Sequence, residues 1–186
     1  MTRVFLDANV IVQSWTLDVL LSLAEDELFE PAWSGKVMLE ARRAICQVRQ
    51  CPPAAVDSLF QVMDAAFPEA KVTGWESAEG DIALPDSDDR HVAAAAIVGG
   101  CDVLLTQNVR DFPEEALAAH GIEPMPPDDF IMALVAEDEA AVLTAMRRVV
   151  VSKRRPPRSM EQEIEGLRRN GLRRFAGFLA SRGGPG

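Results

Sequence analysis

The chain has 186 residues, 48% of them apolar, a formal charge of −10 and three cysteines. This supports one substantial core with at most a small appendage, and no apolar stretch is long enough to span a bilayer. Asp7 interrupts the N-terminus before a signal-peptide core can form, and Cys46, Cys51 and Cys101 contain no Cys-x-x-Cys pair, so neither a disulfide framework nor a zinc site is indicated and the expected compartment is the cytosol.

In chain order, Val4-Phe5-Leu6 followed by Asp7 predicts a strand buried on both faces, as in parallel sheets, which leaves the core at Asp7. Ligands of open α/β sheets bind at that carboxyl edge. Asp7 therefore has two readings, a functional rim residue or the cap of a following helical stretch marked by Leu17, Leu20, Leu21, Ala24 and Leu28. Asn9, two residues on, can donate or accept a hydrogen bond at the same place.

Ser34 to Ile45 reads as a Ser-capped helix with Val37, Met38, Ala41, Ala44 and Ile45 on its apolar stripe. Glu40 lies beside that stripe, where it could serve a site or simply pair with Lys36 or Arg43. Further on, Asp86-Ser87-Asp88-Asp89-Arg90-His91-Val92 opens an Ala-rich helix stopped by Gly99-Gly100, and Asp102 to Thr106 predicts a second buried strand. Acids at a helix start complement its dipole, which accounts for Asp88 and Asp86. It does not account for a second polar turn, Thr106 to Asp111, one strand later at the same sheet edge. Half of a right-handed βαβ crossover brings Asp89 and Asp111 toward Asp7.

His91 follows Asp89 by two positions, about 200° round a helix, which favours packing or capping over a general-base role. His120 reads as a surface residue. Arg90 and Arg110 flank the acids and could either clamp phosphate or neutralise the cluster.

The strand-Asp-x-Asn opening, the Ser-x-x-x-x-x-Glu helix, Asp-x-x-Asp-Arg-His-Val-x-Ala-Ala-Ala and Thr-x-Asn-x-x-Asp-Phe-Pro together resemble the PIN domain, particularly the VapC-type toxin ribonucleases of bacteria. The resemblance covers roughly the first two thirds of the chain. It implies an α/β fold with a central parallel sheet flanked by helices and an acidic quartet of Asp7, Glu40, Asp89 and Asp111. It also implies metal-dependent endonucleolytic cutting of single-stranded RNA, leaving a 5′ phosphate and a 3′ hydroxyl, with a cognate antitoxin and a homodimeric state. Oxygen-only ligands select Mg²⁺ or Mn²⁺. Asp86 matches an acid seen in this subgroup, Thr106 and Asn108 are placed to orient a carboxylate or water, and Asn108 stands where many PIN domains have an acid.

Two other readings are open. A haloacid-dehalogenase-like phosphatase also places a carboxylate after the first strand, but needs Asp-x-Asp where this chain has Asn9. A catalytically weak RNA- or protein-binding module on the same scaffold is the other.

Residues 1–126 are expected to form the nuclease domain and residues 127–186 a helical extension, with apolar positions at helical spacing from Phe130 to Val150 and from Ile164 to Leu179. Charge is uneven: residues 1–146 carry −18 and residues 147–186 carry +8. The basic segment, including Arg147, Arg148, Lys153, Arg154, Arg155 and Arg158, could grip RNA, bind an acidic antitoxin segment, or pack against the acidic body, residues 1–146, of its own or a neighbouring chain.

Overall fold

The computed structural model describes residues 1–152 and 158–182, so Lys153, Arg154 and Arg155 lie outside the described residues. The elements run β1 (Arg3–Leu6), α1 (Ala8–Ile11), α2 (Ser14–Glu25), β2 (Glu30–Ser34), α3 (Gly35–Arg49), α4 (Pro53–Ala66), β3 (Lys71–Val72) and α5 (Arg90–Val98). They continue with β4 (Val103–Leu105), α6 (Glu114–Ala118), β5 (Glu123–Met125), α7 (Pro127–Glu137), α8 (Glu139–Ser152), α9 (Met160–Arg169) and α10 (Arg173–Ser181). By contact they divide into two compact units, Met1–Val12 with Phe29–Pro126, and Gln13–Leu28 with Pro127–Gly186.

The first unit is the expected parallel sheet flanked by helices, with strand order β3-β2-β1-β4-β5 and every neighbouring pair parallel. The continuous apolar runs explain why β1 and β4 sit innermost: Val4, Phe5, Leu6, Leu104 and Leu105 are all fully buried, which requires cover on both faces. The chain moves outward one way from β1 through β2 to β3, then returns to β4 on the other side of β1. The carboxyl ends of β1 and β4 therefore flank the topological switch point, the usual ligand crevice of such sheets.

Helix α5 makes that return, and Val92 to Ala96 are all buried. Small side chains on every face let it lie deep in the unit. The turn after it is equally tight, since a Cβ on Gly99 would stand 2.8 Å from the Val72 side chain and 2.9 Å from the Ala95 carbonyl. Gly100, at φ 60°, then supplies the left-handed residue that ends the helix. The helix itself begins at Arg90; the acidic stretch before it, Ser87–Asp89, is a 3-10 turn capped by the Asp86 side chain, which accepts from Asp88 N–H at 2.8 Å.

The second unit is helical. Of the stripe expected after Asp7, Leu17, Leu20 and Ala24 are buried in α2. The chain leaves that helix at Glu27, at φ 58°, before Leu28. Helix α2 packs with α8 and α9, and α10 packs with α7 and α9. Gly166 in α9 lies against the Trp15 ring, where an added Cβ would come within 2.2 Å of ring carbons. Arg158 covers the same ring at 4.2 Å from its centroid.

The basic segment finds acids within its own unit. Arg148 bonds Asp26, Arg158 reaches Glu163 at 3.5 Å, Arg168 and Arg169 hold Glu165, Arg174 bonds Asp129, and Arg182 bonds Glu139 at 2.6 Å. Of the three readings of the basic residues, pairing with the acidic body is what Arg148, Arg174 and Arg182 display, whereas Arg158, Arg168 and Arg169 pair with acids of the basic segment itself. The acidic body and the basic tail are divisions of sequence, because Asp26, Asp129 and Glu139 belong in space to the helical unit.

Among the described residues no helix is long and apolar enough to cross a membrane.

Candidate functional site

All the acids singled out in the sequence belong to the first unit. Asp7 leaves β1 with its backbone N–H still donating to the Leu105 carbonyl at 3.0 Å, which locks the ends of β1 and β4 together. Its two sequence readings are not exclusive. One carboxylate oxygen accepts from Ala8 N–H at 2.6 Å and caps α1, while the other accepts from the Asn9 amide at 2.6 Å and from the Thr106 hydroxyl at 2.8 Å. The side chain is only 7% exposed. Burial pushes its carboxyl above the ordinary range, against the opposing pull of Thr106, Ala8 and Asn9.

Thr106 and Asn9 form the rest of a closed polar knot. Asn9 also donates to Thr106 Oγ1 at 3.0 Å and accepts from Gln107 N–H at 3.0 Å, and Asn108 N–H donates to Thr106 Oγ1 at 3.1 Å. Both ends of the Asn9 amide are thus engaged in holding β1 to the turn after β4. A phosphatase's second acid would have to stand free to move a proton from that position, so the knot disfavours that reading.

Asp89, at the junction of the 3-10 turn and α5, is the most perturbed of the acids. Its carboxyl is pushed up to about 6 by burial first, and then by the negative charges of Asp7, Asp111, Asp86 and Asp88. Glu40, half-buried on α3, is raised by burial and by Asp7 and Asp89, with Lys36 and Arg43 pulling the other way. Four stations far apart in sequence therefore share one electrostatic field. Asp111 closes the turn Val109–Asp111 and, with Gln107, Asn108, Val109 and Arg110, lines an open depression of about 420 Å³.

Glu40 does not take up the surface pairing its sequence neighbours offered. Lys36 turns instead to Glu79, at 3.7 Å, and a Glu40 carboxylate oxygen lies 3.0 Å from His91 Nε2. His91 packs, as its position two residues after Asp89 predicts, and the ring that points away from Asp89 comes up against a different acid, on α3. His91 is 2% exposed and packs on Trp75, with ring centroids 5.9 Å apart. Burial, aided by Lys36, lowers its pKa to about 4, so the ring beside Glu40 is neutral.

The two arginines differ. Arg110 is exposed at the rim of the depression, whereas Arg90 is half-buried and its Nε has no hydrogen-bond partner among the described residues.

The donor set can be tested against a divalent cation. Among the described residues, no three acidic, histidine or cysteine side chains are drawn closely enough together to hold a metal ion as they stand. In chemistry and charge the set nevertheless fits one: every donor is a carboxylate, and three of the four have pKa values raised, Glu40 in part by Asp7 and Asp89, and Asp89 in part by Asp7 and Asp111. A hard cation would relieve that repulsion and be bound by it.

Comparison with known proteins agrees with this architecture. Residues 3–110 match the PIN domain family, and residues 127–181 match the family described as the VapC50 C-terminal domain. A Mycobacterium tuberculosis (strain ATCC 25618 / H37Rv) protein named "Putative ribonuclease VapC50" is 35% identical over 79 residues, 42% of this chain and 47% of that relative, so the match spans about half the relative's length. No solved structure matches the chain. With more than half its length matched by the PIN domain, on a parallel sheet of the kind the resemblance implies, this chain is a member of the PIN-domain family.

Proposed function

We propose that this protein is a metal-dependent endoribonuclease of the VapC type, the toxin of a toxin-antitoxin pair, with Asp7, Glu40, Asp89 and Asp111 holding Mg²⁺ or Mn²⁺. The observation that carries this reading is the shared field of acids drawn from four separate elements to one edge of the sheet, with Asp89 pushed up to about 6. A structural role would pair such acids with cations, since like charges gathered without compensation cost stability. The similarity to a protein named as a ribonuclease supplies the substrate class.

When bound there, the ion supplies a hydroxide at neutral pH and neutralises charge on the scissile phosphate. The chain's own groups do the rest. Asp7 is held in one rotamer by three donors, so its outward oxygen lone pairs are fixed before any ligand arrives. Thr106 and Asn9 keep the turn after β4 against the end of β1, which sets Asp111 relative to Asp7. Asp86 caps the turn that presents Asp89. Arg110, exposed on the depression beside Asp111, is placed to meet an RNA phosphate, and Arg90 lies at the start of α5 beside Asp89. No side-chain nucleophile is needed. An antitoxin partner, a homodimer and a cytoplasmic location accompany this reading through the family likeness alone.

The test is cleavage of end-labelled single-stranded and structured RNAs by purified protein in Mn²⁺, Mg²⁺ or EDTA, beside Asp7→Ala. Cutting that needs the metal and is lost in the variant supports the proposal. Folded protein that binds RNA in all three conditions without cutting it would replace the proposal with a binding module.

A further inference from the structure

We propose that Cys46 and Cys51 form an oxidisable dithiol at the turn between α3 and α4, which a peroxide converts into an intramolecular disulfide that external thiols reverse.

The spacing Cys-x-x-x-x-Cys carries no such signal by itself. Five positions apart on an unbroken helix, the two side chains would point about 140° away from each other. The helix is broken between them. Helix α3 ends at Arg49, and Gln50 follows in the left-handed conformation, at φ 49° and ψ 38°. A left-handed residue at a helix end turns the chain back, and the side chain after it comes to rest on the residue five positions earlier, in the last turn. In this chain those two positions are Cys51 and Cys46.

The turn is held from both sides. Pro52 and Pro53 fix the backbone that enters α4. Arg42, one turn before Cys46 on α3, bonds Asp57 on α4 through two guanidinium nitrogens, at 2.5 and 2.9 Å. The Cys46 thiol responds to this whole corner. Partial burial first, and then the charge and hydrogen bonding of Cys51, push it above the ordinary thiol range, with Arg42 pulling down and Asp57 pushing up. Both cysteines are half-buried, so a small oxidant can reach them. Cys101 is only 4% exposed, and burial pushes its thiol up to about 11, which makes it the inert third cysteine.

The thiolate is the nucleophile, so Cys46, which keeps its proton longer, reacts second. The Cys51 thiolate attacks one peroxide oxygen, the O–O bond breaks, and the other oxygen takes up a proton and leaves as water. Cys51 is then a sulfenic acid. The Cys46 sulfur attacks the Cys51 sulfur, and the sulfenic oxygen leaves as a second water with the proton that Cys46 gives up. Two thiols are oxidised to one disulfide while one peroxide is reduced to two waters. Thiol exchange through a mixed disulfide returns the pair to its reduced state.

The experiment treats the reduced full chain with hydrogen peroxide, blocks the remaining thiols with iodoacetamide, and maps the tryptic peptides. Arg49 lies between the two cysteines, so trypsin separates them unless a disulfide joins them. Wild type and Cys101→Ser should both give the joined peptides from protein that runs as a monomer on a non-reducing gel, with both thiols recovered by dithiothreitol. Cys46→Ser and Cys51→Ser, checked for fold by circular dichroism, should lose the joined species and carry added oxygen on the remaining thiol. The wild-type map decides the matter without any variant. Separate peptides that each carry oxygen, a joined pair found only in dimers, or both thiols untouched while free cysteine in the same tube is consumed would each overturn the proposal.

Discussion

Asp89 in the sheet unit and Glu165 in the helical unit are both acidic residues near other charges, yet they are displaced in opposite directions. Burial and four neighbouring aspartates push Asp89 up to about 6, whereas the guanidiniums of Arg169 and Arg168 hold Glu165 below the ordinary carboxylate range. The helical unit pairs its charges, Arg148 with Asp26 and Arg182 with Glu139, as a surface built for solubility does. The sheet unit collects carboxylates at one edge and leaves them to repel. It pairs charges too, Arg42 with Asp57 and Arg3 with Glu30, but away from this edge. Charge that is stabilised by its surroundings describes a surface; clusters of charge destabilised by their surroundings are characteristic of functional sites.

The sharpest way to break this comparison is Asp89→Asn. RNA cleavage should fall on the order of 10²–10³-fold, the scale for losing one charge-stabilising group from a reaction site, while the circular dichroism spectrum stays native. Unchanged cleavage would place Asp89 with the surface acids.

Next in size is a substitution in the helical unit. Gly166→Ala drives a methyl group into the Trp15 ring and should cost about 1–3 kcal/mol in urea unfolding. A comparable cost is expected from Thr106→Val, which takes a hydroxyl donor from the buried Asp7 carboxylate: about 1–3 kcal/mol, with the Asp7 pKa rising further because one of the bonds that lowers it is gone. Carbon-detected NMR titration of the Asp7 carboxyl measures that rise.

A smaller effect concerns pH. The folded-state pKa of Asp89 lies above its ordinary 3.8, at about 6, so the metal-free folded protein binds the extra proton between those values. The group's contribution to stability is therefore greatest at low pH and is lost as pH rises through about 6. Without metal, the Tm of Asp89→Asn should exceed that of wild type by more at pH 7 than at pH 5. Adding Mg²⁺ should raise the wild-type Tm more than the variant's. The smallest effect is expected from Arg148→Gln, an exposed pair with Asp26 and Glu25, at about 1 kcal/mol or less in the same unfolding assay.

Much of the sheet unit was legible because its signals are local. Val4 to Leu6 and Val103 to Leu105 are apolar runs that only a doubly covered strand can use, Ser34 caps α3 by accepting from Val37 N–H, and Gly100 ends α5. Asp7 directly follows β1 and Asp89 directly precedes α5, which is why both are expected at this edge, whereas Glu40 lies within α3 and Asp111 in the turn beyond β4 and join the set through the resemblance. What could not be read is what packs across elements. A helical angle measured from Asp89 says where His91 does not point; only the placement of α3 says that it meets Glu40. The pairing of Arg148 with Asp26 spans 122 residues, and no sequence pattern links them. For the same reason Gln13–Leu28 reads as part of the first domain by position, although its contacts lie with the helices that follow Pro127.

The most direct measurement is the affinity and stoichiometry of Mn²⁺ binding to purified wild-type protein and Asp89→Asn by calorimetry at pH 7. Saturable binding to wild type, weakened at least about tenfold in the variant, is the expected result for acids that await a cation. Equal binding by both proteins, or none by folded wild type, would mean that the repulsion at the sheet edge serves something other than metal.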